Sequence, residues 1–313
     1  MSKAAATGTK LGWIGTGRMG YEMAARLGRA GCNVLAWNRT RAKAQPLGGY
    51  GVQVADRLGE LAGCEIVFTM VSTSDDLGEV LSGPGGLLGT PGVQPRIVVD
   101  CSSISIEASA QVRAALAAKG IAFLAAPVSG NAKVIKAGKL SVVSSGPRKV
   151  FEECEPFLRI FGPGGVSYVD EGELARIAKI CHNVFLGVVT QSLAEITVLA
   201  EKAGLPRSAF LDFMNNSVLG SIFSRYKTPA FVNLDFKVTF TPYLLRKDMD
   251  LGLEAARRFE VPMPLASVTR DLIQAQMGNG FTEQDFSTLL LMQARASGVE
   301  LKPENVAVDD GLS

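Results

Sequence analysis

The chain has 313 residues, which is long enough for two domains that each bury a core of their own. Its 32 basic and 30 acidic residues nearly balance, so we expect no nucleic-acid partner. Polar residues or glycine interrupt every apolar segment before it reaches transmembrane length, and the first ten residues lack the apolar stretch of a secretory signal. These features predict a cytoplasmic protein without a membrane partner.

Cysteine and histidine usage indicates the redox and metal chemistry. The five cysteines are odd in number and form no C-x-x-C pair, and a single histidine leaves little material for a transition-metal site. We expect all five thiols to be buried in a reducing compartment, and we expect no metal centre.

The first predicted element is an apolar strand, Lys10–Ile14, which three glycines separate from a helical pattern at Tyr21–Ala30. Gly15 allows a tight turn, Gly17 lets a pyrophosphate approach the backbone, and Gly20 lets the helix pack close to the strand. The helix N-terminus offers unpaired N–H groups to an anion. The pattern predicts a dinucleotide-binding domain. Three closely spaced glycines can occur by chance in a chain with 34 glycines, so the prediction depends on the segments that follow.

A second strand, Asn33–Trp37, ends at the position where an NAD-selective site usually has Asp or Glu. This chain has Asn38-Arg39-Thr40-Arg41 instead. A guanidinium matches a phosphate in geometry, and no carboxylate comes directly after the strand to repel it. The sequence favours NADP(H) and leaves NAD(H) open, because the alternative interpretation makes both arginines solvated loop cations.

Short apolar runs and helical patterns then alternate through the first 170 residues. Strands are predicted at Glu65–Met70, Ile97–Asp100, Ala122–Leu124 and Leu140–Ser144, and helices at Ile106–Lys119 and Arg148–Ile160. Strands joined by helical crossovers predict an α/β fold, with a Rossmann-type, doubly wound and largely parallel sheet in residues 1–170.

The second part of the chain is predicted to be helical. One long, mostly apolar helix is predicted at Glu171–Ala203, and at roughly 50 Å it would connect two domains or enter a subunit interface. Further helical patterns at Leu244–Phe259 and Pro264–Met277 predict an all-α domain over residues 171–313.

The long helix carries the best candidate for proton transfer. Lys179 and Asn183 are spaced i, i+4 and share one face. A lysine in an apolar helix can have its pKa lowered by desolvation, which suits general acid/base catalysis. His182 is the rival by residue type, but it should point about 100° away from this face. The alternative interpretation is a solvated polar stripe.

Two polar clusters come after predicted strands, at the carboxyl edge where open α/β sheets bind ligands. They are Asp100-Cys-Ser-Ser103-Ile-Ser105 and Ala126-Pro-Val-Ser129-Gly130-Asn131. A serine hydroxyl and the backbone N–H groups beside a glycine could bind a carboxylate, whereas turn chemistry alone explains the same residues equally well.

In this order the segments resemble the motifs of the β-hydroxyacid dehydrogenases, the 3-hydroxyisobutyrate dehydrogenase family. The matching blocks span nearly the whole chain: Gly15-Thr-Gly17-Arg-Met19-Gly20, Asn38-Arg39-Thr40, Asp100-Cys-Ser102-Ser103-Ile104-Ser105, Ala125-Ala-Pro-Val-Ser129-Gly130-Asn131, Lys179-Ile-Cys-His182-Asn183, Phe240 with Leu244, Lys247 and Asp248, and Asp285-Phe-Ser287.

The resemblance implies a Rossmann domain joined by the long helix to an all-α domain, in homodimers or homotetramers. It implies Lys179 as general acid/base and Asn183 as the group that positions the substrate oxygen. The substrate-binding residues that it implies are Ser103, Ser129, Gly130, Asn131 and Lys247. The cofactor-binding residues that it implies are Gly15, Thr16, Gly17, Arg18, Met19, Asn38, Arg39, Thr40, Val71, Ser103 and Lys247.

The function expected from this resemblance is NADP-dependent interconversion of a small 3-hydroxy acid and its semialdehyde, or reduction of a small carboxylated aldehyde. Three positions depart from the family motifs: Ala125 stands for an acid, Asn131 for glycine and His182 for asparagine. They leave the substrate open among glyoxylate, succinic semialdehyde, tartronate semialdehyde and a sulfonated aldehyde. Imine reduction is disfavoured because imine-reducing relatives generally lack the lysine. A non-catalytic cofactor-binding scaffold is disfavoured because Lys179, Asn183 and Ser129 are all retained.

Overall fold

The computed structural model describes residues 8–89 and 94–312. Two compact units make up the chain, Met1–Lys179 and Ile180–Ser313, and the division between them falls within one long helix. The domain boundary predicted after residue 170 stays a prediction.

The first unit is built on a six-stranded sheet with all neighbouring strands parallel, in the order β3-β2-β1-β4-β5-β6. Its strands are β1 Lys10–Ile14, β2 Asn33–Trp37, β3 Gln53–Val54, β4 Ile66–Thr69, β5 Ile97–Asp100 and β6 Ala122–Ala125. Its helices are α1 Arg18–Arg29, α2 Ser74–Ser82, α3 Ile106–Ala117, α4 Ala132–Lys136 and α5 Arg148–Phe161. The predicted Rossmann-type sheet is therefore confirmed.

Side-chain alternation along the strands explains why this sheet is covered on both faces. Trp13 and Phe68 belong to one buried cluster, whereas their neighbours Ile14 and Val67 belong to a second cluster. Successive residues of a strand point to opposite faces, so a continuously apolar strand needs helices on both sides. Every residue of β4 and β5 is buried accordingly.

One predicted strand lies outside the parallel sheet. Leu140–Ser144 corresponds to β8, Ser141–Ser144, which pairs antiparallel with β7, Val128–Ser129, and parallel with β9, Gly165–Tyr168. Only Ala126 and Pro127 separate β6 from β7, which is too short for the crossover that a parallel neighbour requires. The chain therefore turns back into a separate, three-stranded sheet.

The second unit is helical. It contains most of α6, Leu174–Lys202, and then α7 Arg207–Asn216, α8 Ile222–Asn233, α9 Pro242–Arg258, α10 Pro264–Gly278 and α11 Leu289–Ala296. No strand occurs in this unit within residues 180–312, which agrees with the predicted all-α region. A Cβ atom at Gly252 would lie 2.1 Å from Val184 Cγ2, so glycine is required where α9 crosses α6.

Helix α6 is long and apolar enough to cross a membrane by length and composition alone. However, 56% of its most apolar 18-residue window is buried inside the protein. Its observed bounds lie within the predicted helix at Glu171–Ala203.

The cysteines are not all buried as expected. Cys32, Cys64, Cys101 and Cys154 are buried and free, whereas Cys181 is exposed on α6. Burial raises the pKa of each of the four buried thiols, and that of Cys64 rises to about 11.

Candidate active site

The glycine turn between β1 and α1 has the geometry that the sequence predicts. Gly15 has a φ of +94°, and a Cβ atom there would lie 2.3 Å from the carbonyl oxygen of Met70. A Cβ atom at Gly20 would lie 2.0 Å from the carbonyl oxygen of Gly15, so α1 packs directly onto the turn. Any larger side chain at either position would displace the turn from the end of β1.

The same turn presents groups that fit a pyrophosphate. A Cβ atom at Gly17 would meet nothing within 4 Å, so the backbone is open to an approaching ligand. The hydroxyl of Thr16 is buried and has no hydrogen-bond partner, although the Thr16 N–H donates to Asn38 Oδ1 at 2.9 Å. An open backbone beside an unused donor at a helix N-terminus is what a phosphate group needs. The residues therefore fit a dinucleotide.

A cavity of about 890 Å³ adjoins this turn in the first unit. Its lining brings together six of the predicted cofactor residues, Gly15, Gly17, Asn38, Arg39, Thr40 and Val71. The remaining predicted residues of the glycine block are placed differently. Thr16 is buried in the turn, Arg18 is exposed at the start of α1, and Met19 packs partly against the core.

The rim of the cavity contains carboxylates that the sequence did not predict. The guanidinium of Arg39 lies 3.6 Å from Asp76 and 3.7 Å from Glu79, both on α2, and Arg41 pairs with Asp56 at 2.6 Å. No carboxylate comes directly after β2 in the sequence, but the fold places the carboxylates of Asp56, Asp76 and Glu79 near the arginines that follow β2. Arg39 is 75% exposed, so its pairs are weak and a competing phosphate could displace them.

The buried carboxylate of Asp100 accepts hydrogen bonds from residues at the ends of two strands. Its Oδ1 accepts from Thr69 Oγ1 at 2.6 Å and from Ser102 Oγ at 2.7 Å. Ser102 Oγ in turn accepts from the N–H of Val71 at 2.9 Å. The loops that carry Val71 and Ser103 are therefore tied to one buried carboxylate.

The remaining oxygen of Asp100 is paired with Arg176 of α6 at 2.6 Å, and both side chains are almost fully buried. Arg176 also donates to the carbonyl oxygen of Ser102 at 2.7 Å and to Ser109 Oγ at 3.0 Å. Sequence reasoning missed Arg176. A charged residue one turn before Lys179 in an apolar helix was the available signal.

The predicted carboxylate subsite lies at the start of α4. Ser129 is half-buried, and Gly130 has a φ of +138° that allows the chain to turn there. Asn131 is 95% buried, and its Oδ1 accepts from the Val134 N–H at 3.1 Å. Its Nδ2 has no partner, which leaves one buried donor available. Asn131 thus combines a helix cap with an unused N–H group.

Lys179 and Asn183 are both on α6, at the predicted i, i+4 spacing. Lys179 is half-buried and Asn183 is buried. Asn183 Nδ2 donates to Asp248 Oδ2 at 2.5 Å, and Asp248 Oδ1 is 3.1 Å from the ammonium of Lys247. The second unit therefore brings the predicted residues Asn183 and Lys247 together through Asp248, whose part in this arrangement was not predicted.

His182 is exposed, and its Nδ1 is 2.9 Å from Asn183 Oδ1.

Among residues 8–89 and 94–312, no group of three or more histidine, cysteine or acidic side chains could hold a metal ion.

Two family descriptions match nearly the whole chain. Residues 10–172 match the NAD binding domain of 6-phosphogluconate dehydrogenase, and residues 174–292 match the NAD-binding region of NADP-dependent 3-hydroxyisobutyrate dehydrogenase. The chain is 30% identical to 2-(hydroxymethyl)glutarate dehydrogenase of Eubacterium barkeri, over 93% of this chain and 97% of that protein. It is 28% identical to chloroplastic glyoxylate/succinic semialdehyde reductase 2 of Arabidopsis thaliana, over 90% and 78%.

Solved structures agree with this assignment. Psf3 in complex with NADP+ and 2-OPP aligns with a TM-score of 0.81 at 25% identity, covering 90% of this chain and 99% of that one. An imine reductase from Myxococcus stipitatus is more distant, with a TM-score of 0.59 at 20% identity over 90% and 98%. The chain belongs to the 3-hydroxyisobutyrate dehydrogenase family of NAD(P)-binding oxidoreductases, which act on CH–OH groups.

Proposed function

We propose that this enzyme interconverts a small 3-hydroxy acid and its semialdehyde, or reduces a small carboxylated aldehyde, with NADP(H) as the preferred cofactor. The observation that carries the proposal is the position of Lys179, a half-buried lysine on α6. Lys179 comes one turn after Arg176, whose side chain donates hydrogen bonds to Asp100 at the end of β5 and to Ser102 in the loop after it. A nicotinamide cofactor, when bound, supplies the hydride chemistry. The proton must come from the protein.

In this proposal the ammonium of Lys179 gives a proton to the substrate oxygen in reduction, and its amine takes one back in oxidation. Asn183, one turn further along α6, positions that oxygen. The hydrogen bond from Asn183 Nδ2 to Asp248 Oδ2 orients the amide. Lys247, which neighbours Asp248, adds a positive charge suited to an anionic substrate.

The substrate carboxylate is assigned to Ser129, Gly130 and Asn131. Asn131 Nδ2 supports this assignment, because a buried donor without a partner is costly unless a ligand accepts from it. The names of two relatives, 2-(hydroxymethyl)glutarate dehydrogenase and glyoxylate/succinic semialdehyde reductase, suggest the substrates to try first.

The cofactor is assigned to the cavity beside the glycine turn. If a dinucleotide binds there, the open backbone at Gly17 and the hydroxyl of Thr16 would hold the pyrophosphate, and Val71 and Ser103 would be assigned to the nicotinamide side. Arg39 and Thr40 supply donors for a 2′-phosphate, which supports NADP(H). Asp76 and Glu79 oppose it electrostatically, so the preference depends on how readily Arg39 leaves them.

The test is a panel of small aldehydes, hydroxy acids and cyclic imines with NADPH and NADH, run on the native enzyme and on Lys179→Ala. The variant should lose roughly 10²–10⁴ in kcat while the Kd for NADPH, measured by fluorescence, stays unchanged. Lys202→Ala, on the exposed end of the same helix, is the matched control and should keep native kcat.

Native turnover in Lys179→Ala would remove Lys179 from the mechanism. Turnover of imines but not aldehydes would favour imine reduction, and cofactor binding without turnover would favour a scaffold role.

We also propose that the protein is a cytoplasmic homo-oligomer. Large apolar side chains are exposed on the second unit, among them Phe213 at 69%, Val218 at 99% and Leu219 at 71%. Exposed apolar residues of this size are typical of subunit interfaces. Sedimentation velocity of the purified protein would test the oligomeric state, and cell fractionation would test the compartment.

A further inference from the structure

The buried pair of Asp100 and Arg176 joins the carboxyl ends of two strands to the first turns of α6. Arg176 donates to three acceptors: Asp100 Oδ2, the carbonyl oxygen of Ser102, and Ser109 Oγ. Asp100 accepts in addition from Thr69 and Ser102. Three acceptors around one planar guanidinium fix both its position and its orientation.

Such a pair needs an explanation other than stability. Burying an ion pair costs about as much as the attraction returns, and a well-packed apolar pair of similar volume is often as stable. A buried, fully bonded pair is therefore better suited to specifying one arrangement than to adding stability. Here the arrangement that it specifies is the position of α6 against the loops after β4 and β5.

Lys179 comes three residues after Arg176 on the same helix. It lies roughly 4.5 Å further along the axis and about 60° around it, on the adjacent stripe. Fixing the guanidinium of Arg176 therefore fixes the rotation and translation of the turn that carries Lys179. The acceptor Ser102 O immediately precedes Ser103, and Ser102 Oγ holds the N–H of Val71 at the cavity wall.

We infer that Arg176 and Asp100 are positioning residues that set Lys179 relative to the loops carrying Val71 and Ser103, an inference that rests on the proposed function. Neither side chain touches the substrate. The pair acts by holding the proton-transferring ammonium in register with the reacting atoms, because a displacement of about 1 Å can cost on the order of 10²-fold in rate.

The decisive variant is Arg176→Lys, which keeps the positive charge but places all its N–H donors on one nitrogen, so it cannot reproduce the planar spread of guanidinium donors that reaches the three acceptors. We expect kcat to fall by on the order of 10²-fold at saturating substrate and cofactor, with little change in the Kd for NADPH. The primary deuterium isotope effect on kcat, measured with cofactor deuterated at nicotinamide C4, should rise because the chemical step becomes slower. Loss of stability alone would not change this isotope effect.

Arg207→Lys is the matched control. Arg207 is fully buried and donates to three backbone carbonyls, those of Phe231, Val232 and Lys302, without any bond to the strand-end loops. The two variants should lose comparable thermal stability, but Arg207→Lys should keep native kcat per folded molecule. Native kcat in both variants would overturn the inference.

A second readout does not require turnover. The acylation rate of Lys179 in the cofactor-free protein, measured by peptide mass spectrometry, should change in Arg176→Lys and stay native in Arg207→Lys. If the native enzyme turns over no substrate on the panel, the proposed function fails while this labelling still decides the inference. If Arg176→Lys does not fold, the double variant Asp100→Asn/Arg176→Gln removes both charges together and is scored by the same labelling and kcat.

Discussion

Asp100 and Asp285 are both buried carboxylates paired with a cation, one in each compact unit, yet they hold different kinds of structure. Asp100 is bonded to Arg176, which is on the helix that carries Lys179. Asp285 is bonded to Lys227 and to the backbone N–H groups of Thr239 and Phe240, just before α9. The first pair anchors a helix beside a cavity, and the second closes a loop within a core.

This difference indicates which buried polar residues serve ligand binding and which serve the stability of the fold. In the first unit, Thr16 Oγ1 and Asn131 Nδ2 are buried without hydrogen-bond partners, and both belong to residues assigned to ligand binding. Around Asp285, both carboxylate oxygens accept several hydrogen bonds from the second unit itself. Changes around the cavity should therefore alter cofactor binding, whereas changes at Asp285 should alter stability.

The largest expected effect is that of Asp285→Asn on stability. The variant leaves the ammonium of Lys227 buried without its counter-charge, and breaking a buried pair in this way typically costs about 3–5 kcal/mol. Urea unfolding at pH 7 should report that loss in the free energy of unfolding, with the Kd for NADPH of the folded variant unchanged. Asp235→Asn, which breaks the exposed pair with Lys237, is the control and should cost under about 1 kcal/mol.

The pH dependence of this loss has a definite sign. Burial by itself raises the pKa of Asp285, but the charge of Lys227 and hydrogen bonds from Lys227, Ser287 and Thr239 outweigh it and hold the pKa below its usual value. The stabilisation is therefore fully present above the unfolded-state pKa of about 3.9, and it is lost as the pH falls through the lower folded-state pKa. An Asp285→Asn penalty that stayed constant below about pH 4 would contradict this account.

The two sheets of the first unit differ in how far the sequence predicts them. Strands β1, β2 and β5 have the predicted bounds because continuous apolar runs end at glycine or polar residues. The strand β9 was missed because it begins within the glycine-rich segment 161–165, which reads as a chain breaker. The separate sheet of β7, β8 and β9 depends on long-range pairing that no local pattern encodes.

The candidate site shows the same limit. Local motifs predicted Gly15 and Asn38, the family resemblance implied Val71, and the fold brings all three to one cavity. The partners that hold site residues were not predictable from spacing, because Arg176 is 76 residues from Asp100 and Asp248 is 65 residues from Asn183. The carboxylates that meet Arg39 were missed for the same reason.

The next expected effect separates stability from binding within the glycine turn. Gly15→Ala should destabilise the fold by about 1–3 kcal/mol from its left-handed backbone alone, and the contact with Met70 O adds to that cost. Gly17→Ala should unfold like the native protein, since Gly17 has a φ of −66° and open space at its Cβ position. Its methyl group would instead obstruct a ligand, weakening NADPH binding about tenfold, or ~1.4 kcal/mol.

Gly49→Ala controls for a methyl group added at an open glycine away from the cavity lining, and it should change neither property. Thermal denaturation and fluorescence titration on the three variants give the comparison. Native NADPH affinity in Gly17→Ala would remove the glycine turn as the pyrophosphate site.

The smallest expected effect concerns the choice of cofactor at the rim of the cavity. Glu79→Gln removes one of the two carboxylates that face Arg39, at a site where Glu79 is 64% exposed and Arg39 75% exposed. Exposed pairs contribute about 0.2–1 kcal/mol, so the Kd for NADPH should fall by up to about fivefold while that for NADH stays unchanged. Glu152→Gln, which breaks an exposed pair on α5, should leave both constants unchanged.

The direction of this change decides what Arg39 does. If Arg39 binds the 2′-phosphate, freeing it from Glu79 strengthens NADPH binding selectively, and Arg39→Ala weakens it selectively. The gain should also shrink as ionic strength rises, because exposed charges are screened by salt. Equal changes in the Kd values for NADPH and NADH would mean that Glu79 acts on the shape of the cavity, and native preference for NADH would remove Arg39 as a phosphate ligand.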